Sequence, residues 1–312
     1  MIAKNNPSNT AAIVVTYHPD LIALERLLVA LQAQVEKILI VDNGSPPEPL
    51  DWLRKQAGKE KVLLPLEQNL GVATALNLAV RWAQRNGFTH VILFDQDSLP
   101  ETGMVTTLLS WEETAASSGA RIAAVGPRYY DPRHSCPAPF IRFDGWKIHK
   151  IGCTAKPEEH EVSYLITSGS LIRLSVLAEV GLMDETLFID YIDVEWGLRA
   201  RSKGYRCVGL DSARMRHSLG DEVITWGRGR QSVSVRSPLR NYYLCRNALL
   251  IYRRGHVPLN WVLNDAWRLL LKFAFFTLIT PPRLQNLKMM TLGLWHGLRG
   301  VGGKYLERRA EP

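Results

Sequence analysis

The sequence has few cysteines. There are four in 312 residues (Cys136, Cys153, Cys207, Cys245), and no two form a C-x-x-C pair. That argues against a disulfide scaffold or a zinc knuckle and fits a reducing cytosol. No run of eighteen apolar residues occurs, so no segment reads as a simple membrane-spanning helix. Residues 1–10 are polar and lack an apolar core followed by a cleavage site, so no signal peptide is expected. The G-x-G-x-x-G dinucleotide fingerprint is missing, and no internal repeat is present. Residues 1–239 have almost no net charge, at −1, whereas residues 240–312 carry +9 from twelve Lys/Arg against three acids. A neutral body with a basic tail points the tail at something anionic, either nucleic acid or an acidic lipid surface. The tail has a broad apolar face and no basic stripe with spaced aromatics, which disfavours nucleic acid.

What is present is an alternation of types. Short β-branched runs at 11–17, 37–45 and 90–98 read as buried strands, and "KVLLPLE" as an edge strand broken by Pro65. Helical spacing of apolar residues marks 20–34 and 71–87, with a helix also expected around "WLRKQAG". This rhythm predicts an α/β fold with a mostly parallel sheet covered by helices on both faces. In such sheets ligands bind at the carboxyl ends of strands. Further on, 167–181 reads as a strand or turn and a helix, 193–205 as a helix, and "RCVGLDSARMRH" as a short strand delivering His217. The Gly- and Arg-rich stretch 214–240 reads as a mobile loop. The tail predicts helices at 238–254 and 259–280 and a third amphipathic segment after Pro282. In the second, Asn260, Asn264, Arg268 and Lys272 form one narrow polar stripe. The rest is large and apolar, so that helix is either packed on the body or sunk into a membrane interface.

Chemistry-bearing residues gather at the strand ends. Asp95 and Asp97 leave one strand terminus two residues apart, and such a pair suits a hard divalent cation bound to a nucleotide diphosphate. A solvated turn that caps the next helix from Asp97 or Ser98 would use the same residues. Asp42, in "VDNGS", can accept a hydrogen bond from the imide N–H of uracil or thymine, or simply serve an Asn-Gly turn. Asn69 and Gly71 suit a turn into a helix N-terminus, where free N–H groups favour phosphate.

Seven motifs in order carry a resemblance: "VVTYHP", "VDNGS", "NLGVATALN", "FDQDS", "SGSLI", "GLMDETLFIDYIDVEWGLR" and "HSLGD". Over roughly residues 11–220 the chain resembles glycosyltransferase family 2, inverting nucleotide-sugar transferases of GT-A fold. "FDQDS", "FIDYIDVEW" and "RNYYLCRN" look most like its bacterial rhamnosyltransferase branch.

The resemblance implies roles. Thr16, Tyr17 and Asp42 would hold the nucleotide, and Asn69 and Gly71 would line the diphosphate side. Asp95 would face the ribose or the metal, Asp97 would be the main ligand of Mg2+ or Mn2+, and His217 a further ligand. The family's base lies in a Glu-Asp pair before a helix. Aligned on Leu198 and Arg199, the Asp falls on Asp193 while Ile192 takes the Glu position, so Asp190 or Glu195 could share the task. Ser168, Gly169, Arg240 and Arg246 are expected on the acceptor or diphosphate side. The implied organisation is a GT-A catalytic domain over 1–237 and a basic amphipathic helical tail over 238–312 that meets a membrane interface or another subunit.

The implied activity is metal-dependent inverting transfer of a sugar, L-rhamnose from dTDP-L-rhamnose, to a lipid-linked saccharide in O-antigen or related surface polysaccharide synthesis. Its expected place is the cytoplasmic face of a bacterial inner membrane. A UDP-hexose or galactofuranose donor is the alternative within the class, and a non-catalytic nucleotide-binding membrane scaffold the alternative outside it.

Overall fold

The computed structural model describes residues 9–131, 136–153, 158–217, 223–226, 231–234 and 236–306. The front half alternates as the sequence predicts: β1 (Thr10–Thr16), α1 (Leu21–Gln32), β2 (Lys37–Asp42), α2 (Pro47–Gln56), β3 (Lys61–Pro65), α3 (Val72–Arg85) and β4 (His90–Asp95). These strands are parallel, in the order β3-β2-β1-β4, and Pro65 does end an edge strand. Alternate side chains of β1 sort to opposite faces. Ile13 joins one buried cluster with α3 residues, and Ala12 and Val14 join the other with α1 residues. Burying each such aliphatic side chain is worth about 1.5–3 kcal/mol.

The register sets the front of the site. Thr16 lies level with Asp42, and Val15 with Asp95, so the two carboxylates flank the end of β1. The strand order reverses at β1, the switch point where such sheets open a crevice.

The chain then adds β5 (Ser98–Pro100), α4 (Met104–Ser117), β6 (Ile122–Tyr130), the β7–β8 hairpin (Phe140–Asp144, Lys147–Ile151) and β9 (Glu159–Val162). After these come β10 (Leu171–Arg173), α5 (Leu174–Val180), a 3-10 turn (Glu185–Leu187), α6 (Ile192–Ser202) and β11 (Arg206–His217). Two expectations shift here. Ser98 caps no helix: it begins β5, and Gly103 precedes α4. The strand carrying His217 is long, at twelve residues, because it pairs with β6, β5 and β9 in turn. Within the expected loop, β12 (Val223–Trp226) and β13 (Gln231–Ser234) form a hairpin, while 218–222, 227–230 and 235 lie outside the described residues.

Three helices close the chain: α7 (Pro238–Tyr252), α8 (Leu259–Leu278) and α9 (Arg283–Leu298). Leu250, Ile251, Val257 and Trp261 are buried in the same cluster as the sheet, so the packing continues across residue 238. Gly293 and Gly297 let α9 lie directly on α7, where a Cβ would come within 2.4 Å of the Tyr242 carbonyl and 2.8 Å of the Arg246 carbonyl. Of the polar stripe of α8, Asn260, Asn264 and Lys272 are half-buried while Arg268 is exposed. Asn260 and Asn264 donate to the carbonyls of Gly145 (2.5 Å) and Trp146 (3.3 Å) on the β7–β8 turn. The broad apolar face divides: Trp261, Leu269 and Phe276 are buried, whereas Leu263, Trp267, Leu270 and Leu271 are all at least half exposed.

Candidate active site

Strand pairing builds the acidic cluster. The antiparallel register of β5 with β11 sets His217 opposite Ser98, three residues past Asp95. His217 Nδ1 lies 2.9 Å from Ser98 Oγ and 3.5 Å from Asp97, and its Nε2 lies 3.8 Å from Asp95. One ligand atom from each of Asp95, Asp97 and His217 falls within 4.8 Å of the others. Burial pushes the Asp95 pKa up, and Asp97 adds to this against the opposing pull of His217 and Arg240. Two carboxylates and an imidazole crowded in this way fit a hard divalent cation, which would remove the repulsion.

Ser168 supports this cluster from behind. Its hydroxyl lies 2.5 Å from Ser98 Oγ and donates to neither Asp95 nor Asp97; instead it accepts the Asp95 backbone N–H at 3.2 Å. Gly169 donates its N–H to the Leu93 carbonyl at 2.7 Å.

At the end of β2, Asp42 has no exposed surface. It accepts from the Thr16 hydroxyl at 3.0 Å and the Ser45 N–H at 2.9 Å. Tyr17 is 45 % exposed, and its backbone is gripped by the Gln96 amide through bonds of 2.8 and 3.2 Å. Asn69 closes a turn onto the Gly71 N–H at 2.9 Å, and the Val72 N–H is taken by the Phe188 carbonyl at 2.7 Å. Gly71 is required by space as well as by its φ of +91°: a Cβ would sit 2.6 Å from the Phe188 ring.

The opposite wall is the turn before α6. Phe188, Asp190 and Tyr191 are non-glycine residues with φ of +62°, +66° and +66°. Such conformations cost of order 1–3 kcal/mol each and persist only where surroundings enforce them. The three acids that follow have different fates. Asp190 is gripped by Arg240 (2.9 and 2.7 Å) and Arg236 (3.1 Å). Burial works to raise its pKa, but these cations outweigh it and hold the group below the usual range. Glu195 is buried between Arg199 (2.9 Å) and His256 (3.0 Å). Asp193 has no ion-pair partner among the described residues and accepts the Val194 N–H at 2.8 Å. Burial pushes its pKa up to about 6; the charges of Asp95 and Asp190 add to this against that N–H. An apolar cavity lined by Leu93, Ala124, Leu165, Ile172 and Cys207 reaches Asp193 and accounts for its poor solvation.

The family model of Glycosyl transferase family 2 matches residues 12–181. A dTDP-rhamnosyl transferase, RfbF, of Shigella flexneri is 32 % identical over 96 % of this chain and 99 % of its own. The chain belongs to glycosyltransferase family 2. An N-acetylglucosaminyl-diphospho-decaprenol L-rhamnosyltransferase of Mycobacterium tuberculosis is 29 % identical over 66 % of this chain and 74 % of its own. Among solved structures, S. aureus TarS 1-349 in complex with UDP-GlcNAc superposes with a TM-score of 0.58 at 15 % identity, covering 94 % of this chain and 81 % of that one. GalNAc-T7 with UDP, GalNAc and Mn2+ gives 0.55 at 14 % identity, covering 88 % and 58 %. These structural likenesses show the fold: this is a glycosyltransferase of GT-A architecture.

Within this family 2 site, several residues stand elsewhere than the sequence suggests. Arg246 is fully buried and bonds the carbonyls of Thr186, Leu187 and Gly303, so it meets no acceptor. Glu195 is consumed by its ion pairs. Ser168 and Gly169 are buried behind the cluster, whereas Thr16 and Asp42 stand at the ends of β1 and β2, where the sequence places them. Two leading N–H groups at the start of α3 are occupied by protein, leaving less for a phosphate there. Arg240 does face the site, through Asp190.

Sequence reasoning missed Asn247, Asp265 and Gln96. A signal existed for the first: Arg240 and Asn247 are seven residues apart, two turns on one helix face.

Proposed function

We propose that the chain transfers L-rhamnose from dTDP-L-rhamnose to a hydroxyl of a lipid-linked saccharide, with inversion, at an anionic membrane surface. The observation that carries this is Asp193: of three neighbouring acids it alone keeps an uncommitted carboxylate, near enough to Asp95 of the acidic cluster for the two charges to act on each other. The donor comes from the similarity to RfbF along nearly the whole of both chains, and the lipid-linked acceptor class from the mycobacterial relative.

Asp193 takes the proton of the acceptor hydroxyl as the new bond forms, and a pKa near 6 keeps it ionised at neutral pH yet basic enough for the task. Attack from its side and departure of the diphosphate from the other make one displacement and one inversion, with no nucleophilic carboxylate needed. Asp190, fixed by two arginines, keeps negative charge beside Asp193 and sustains its basicity. Tyr17 lies at the open rim of the nucleotide side. Asp95, Asp97 and His217 would hold Mg2+ or Mn2+, and the ion would neutralise charge on the departing diphosphate.

Besides the exposed apolar residues of α8, α9 exposes Leu284 next to Arg283 and Trp295 under the guanidinium of Arg299. Apolar side chains with tryptophan and flanking cations suit the headgroup boundary of an anionic bilayer. No helix among the described residues is long and apolar enough to cross one, so the reading is of peripheral contact.

A donor panel scored by nucleoside diphosphate release, with metal and with chelator, tests the assignment. Release from dTDP-L-rhamnose with lipid-linked acceptor, abolished by chelator, is expected. Preference for a UDP-hexose overturns the donor, and full turnover in chelator overturns the metal site.

A further inference from the structure

The turn that carries Asp193 is strained and does not hold itself. Leu187, Phe188 and Ile189 form a γ-turn closed by the Ile189 N–H on the Leu187 carbonyl at 2.7 Å, with Phe188 at φ +62°, ψ −60°, the rare form of that turn. Two more left-handed residues follow, and α6 begins at once.

The Val72 N–H of α3 takes the Phe188 carbonyl, and the other bonds that fix this backbone come from α7 and α8. Asn247, without exposed surface, places Nδ2 at 2.9, 2.7 and 3.0 Å from the carbonyls of Leu187, Ile189 and Asp190. Arg246 takes the Leu187 carbonyl as well, at 2.9 Å. Arg240, two turns before Asn247, grips the Asp190 carboxylate. On α8, Asp265 accepts the hydroxyls of Tyr191 (2.7 Å) and Tyr252 (2.8 Å) and so ties the last left-handed residue to both helices. Phe188 completes the contact by stacking on Tyr243 with ring centres 5.0 Å apart. Among the described residues the carboxylate of Asp193 is oriented by backbone N–H groups of α6's first turn and by no other side chain, so its position is inherited from the turn.

We propose that α7 and α8 form a clamp that sets the catalytic turn, with Asn247, Asp265 and Tyr191 as positioning residues for Asp193. This rests on Asp193 being the base. The helices that read in sequence as a tail therefore belong to the catalytic apparatus, though none of these three side chains need touch substrate. Asp265 works as an acceptor of two tyrosine hydroxyls, a task an amide oxygen can also perform.

The test uses the full-length chain with dTDP-L-rhamnose and lipid-linked acceptor. Tyr191→Phe removes one oxygen and keeps the ring, so it remains informative if Asn247→Ala fails to fold. Tyr191→Phe and Asp265→Leu are expected to lower kcat about 10- to 100-fold while donor KM and dTDP affinity stay within twofold. Asp265→Asn is expected to recover kcat to within about threefold. Folded Tyr191→Phe and Asp265→Leu with unchanged kcat overturn the clamp. So does Asp265→Asn as impaired as Asp265→Leu, or a loss of kcat that only tracks a loss of dTDP binding. Asp193→Asn is measured beside them: if it is fully active the base reading fails and the clamp falls with it, whereas a dead Asp193→Asn with unimpaired clamp variants sinks the clamp alone.

Discussion

The two walls of the crevice are held by different means. On the wall proposed for the donor, Asp42 and Asp95 sit where the parallel register of β1, β2 and β4 puts them, and neighbouring strand ends brace one another. On the wall proposed for the acceptor, Asp190 and Asp193 follow a turn that no ladder supports, and residues some sixty positions away in the chain supply most of its bonds beside the Val72 N–H of α3. The first wall is thus a product of sheet formation. The second depends on contacts from the C-terminal helices.

The largest effects separate the walls by function. Asp97 is 45 % exposed and makes no core contact, so Asp97→Ala is expected to leave the fold intact, abolish turnover and remove metal-dependent donor binding. Asp193→Asn is expected to keep donor and metal binding but to lose transfer by roughly 10²–10⁴-fold, the usual cost of a missing general base. Calorimetric donor titration alongside turnover distinguishes them. Should Asp190→Asn prove the dead variant and Asp193→Asn remain active, the roles of the two aspartates are exchanged.

A smaller effect comes with pH. A base whose pKa is pushed up to about 6 is protonated below that value, so kcat should fall about tenfold per unit as pH drops below about 6 and level off above it. Stability has the opposite sign for the same group. Its folded pKa lies above its unfolded one, so the contribution of Asp193 to the stability of the metal-free protein should fall as pH rises from about 4 through about 6. Asp193→Asn, which cannot ionise, should therefore melt higher than the wild type at pH 8 without metal. A melting temperature that drops instead would show that the carboxylate is not held against its own ionisation.

The smallest expected effect lies on the outer face, away from both walls. Trp267→Glu with Leu271→Glu places charge on the exposed side of α8 and touches no bond to the turn. It should leave transfer to a water-soluble acceptor analogue unchanged within about twofold and weaken cosedimentation with anionic vesicles. Unaltered sedimentation would remove lipid from that face.

Legibility followed the same division. Strand ends and helix starts of the front half were readable because each depends on local runs: "AAIVVT", "KILIVD" and "HVILFD" are nearly unbroken apolar runs that end in a polar residue. Asp97 and His217 were nameable from the motifs, but not their distance, which needs the β5–β11 register. For Arg246 sequence reasoning failed. A basic residue in a basic tail looks available for phosphate, and nothing local says that its donors are spent on carbonyls of another turn. Ser168 misled in the same way, its hydroxyl being used inside the cluster. The polar stripe of α8 was visible, but its direction was not: periodicity locates a face without saying what it meets.

The sequence by itself determined the alternation of strands and helices, the acids at the strand ends, the family and the places of the three closing helices, because these rest on periodicity and on residues adjacent in the chain. Only the tertiary structure decided which of three neighbouring acids stays free. Asp190, Asp193 and Glu195 are alike in sequence. What separates them is where Arg236, Arg240, Arg199 and His256 arrive in space, and a carboxylate's chemistry is set by the charges and the burial around it rather than by its own side chain.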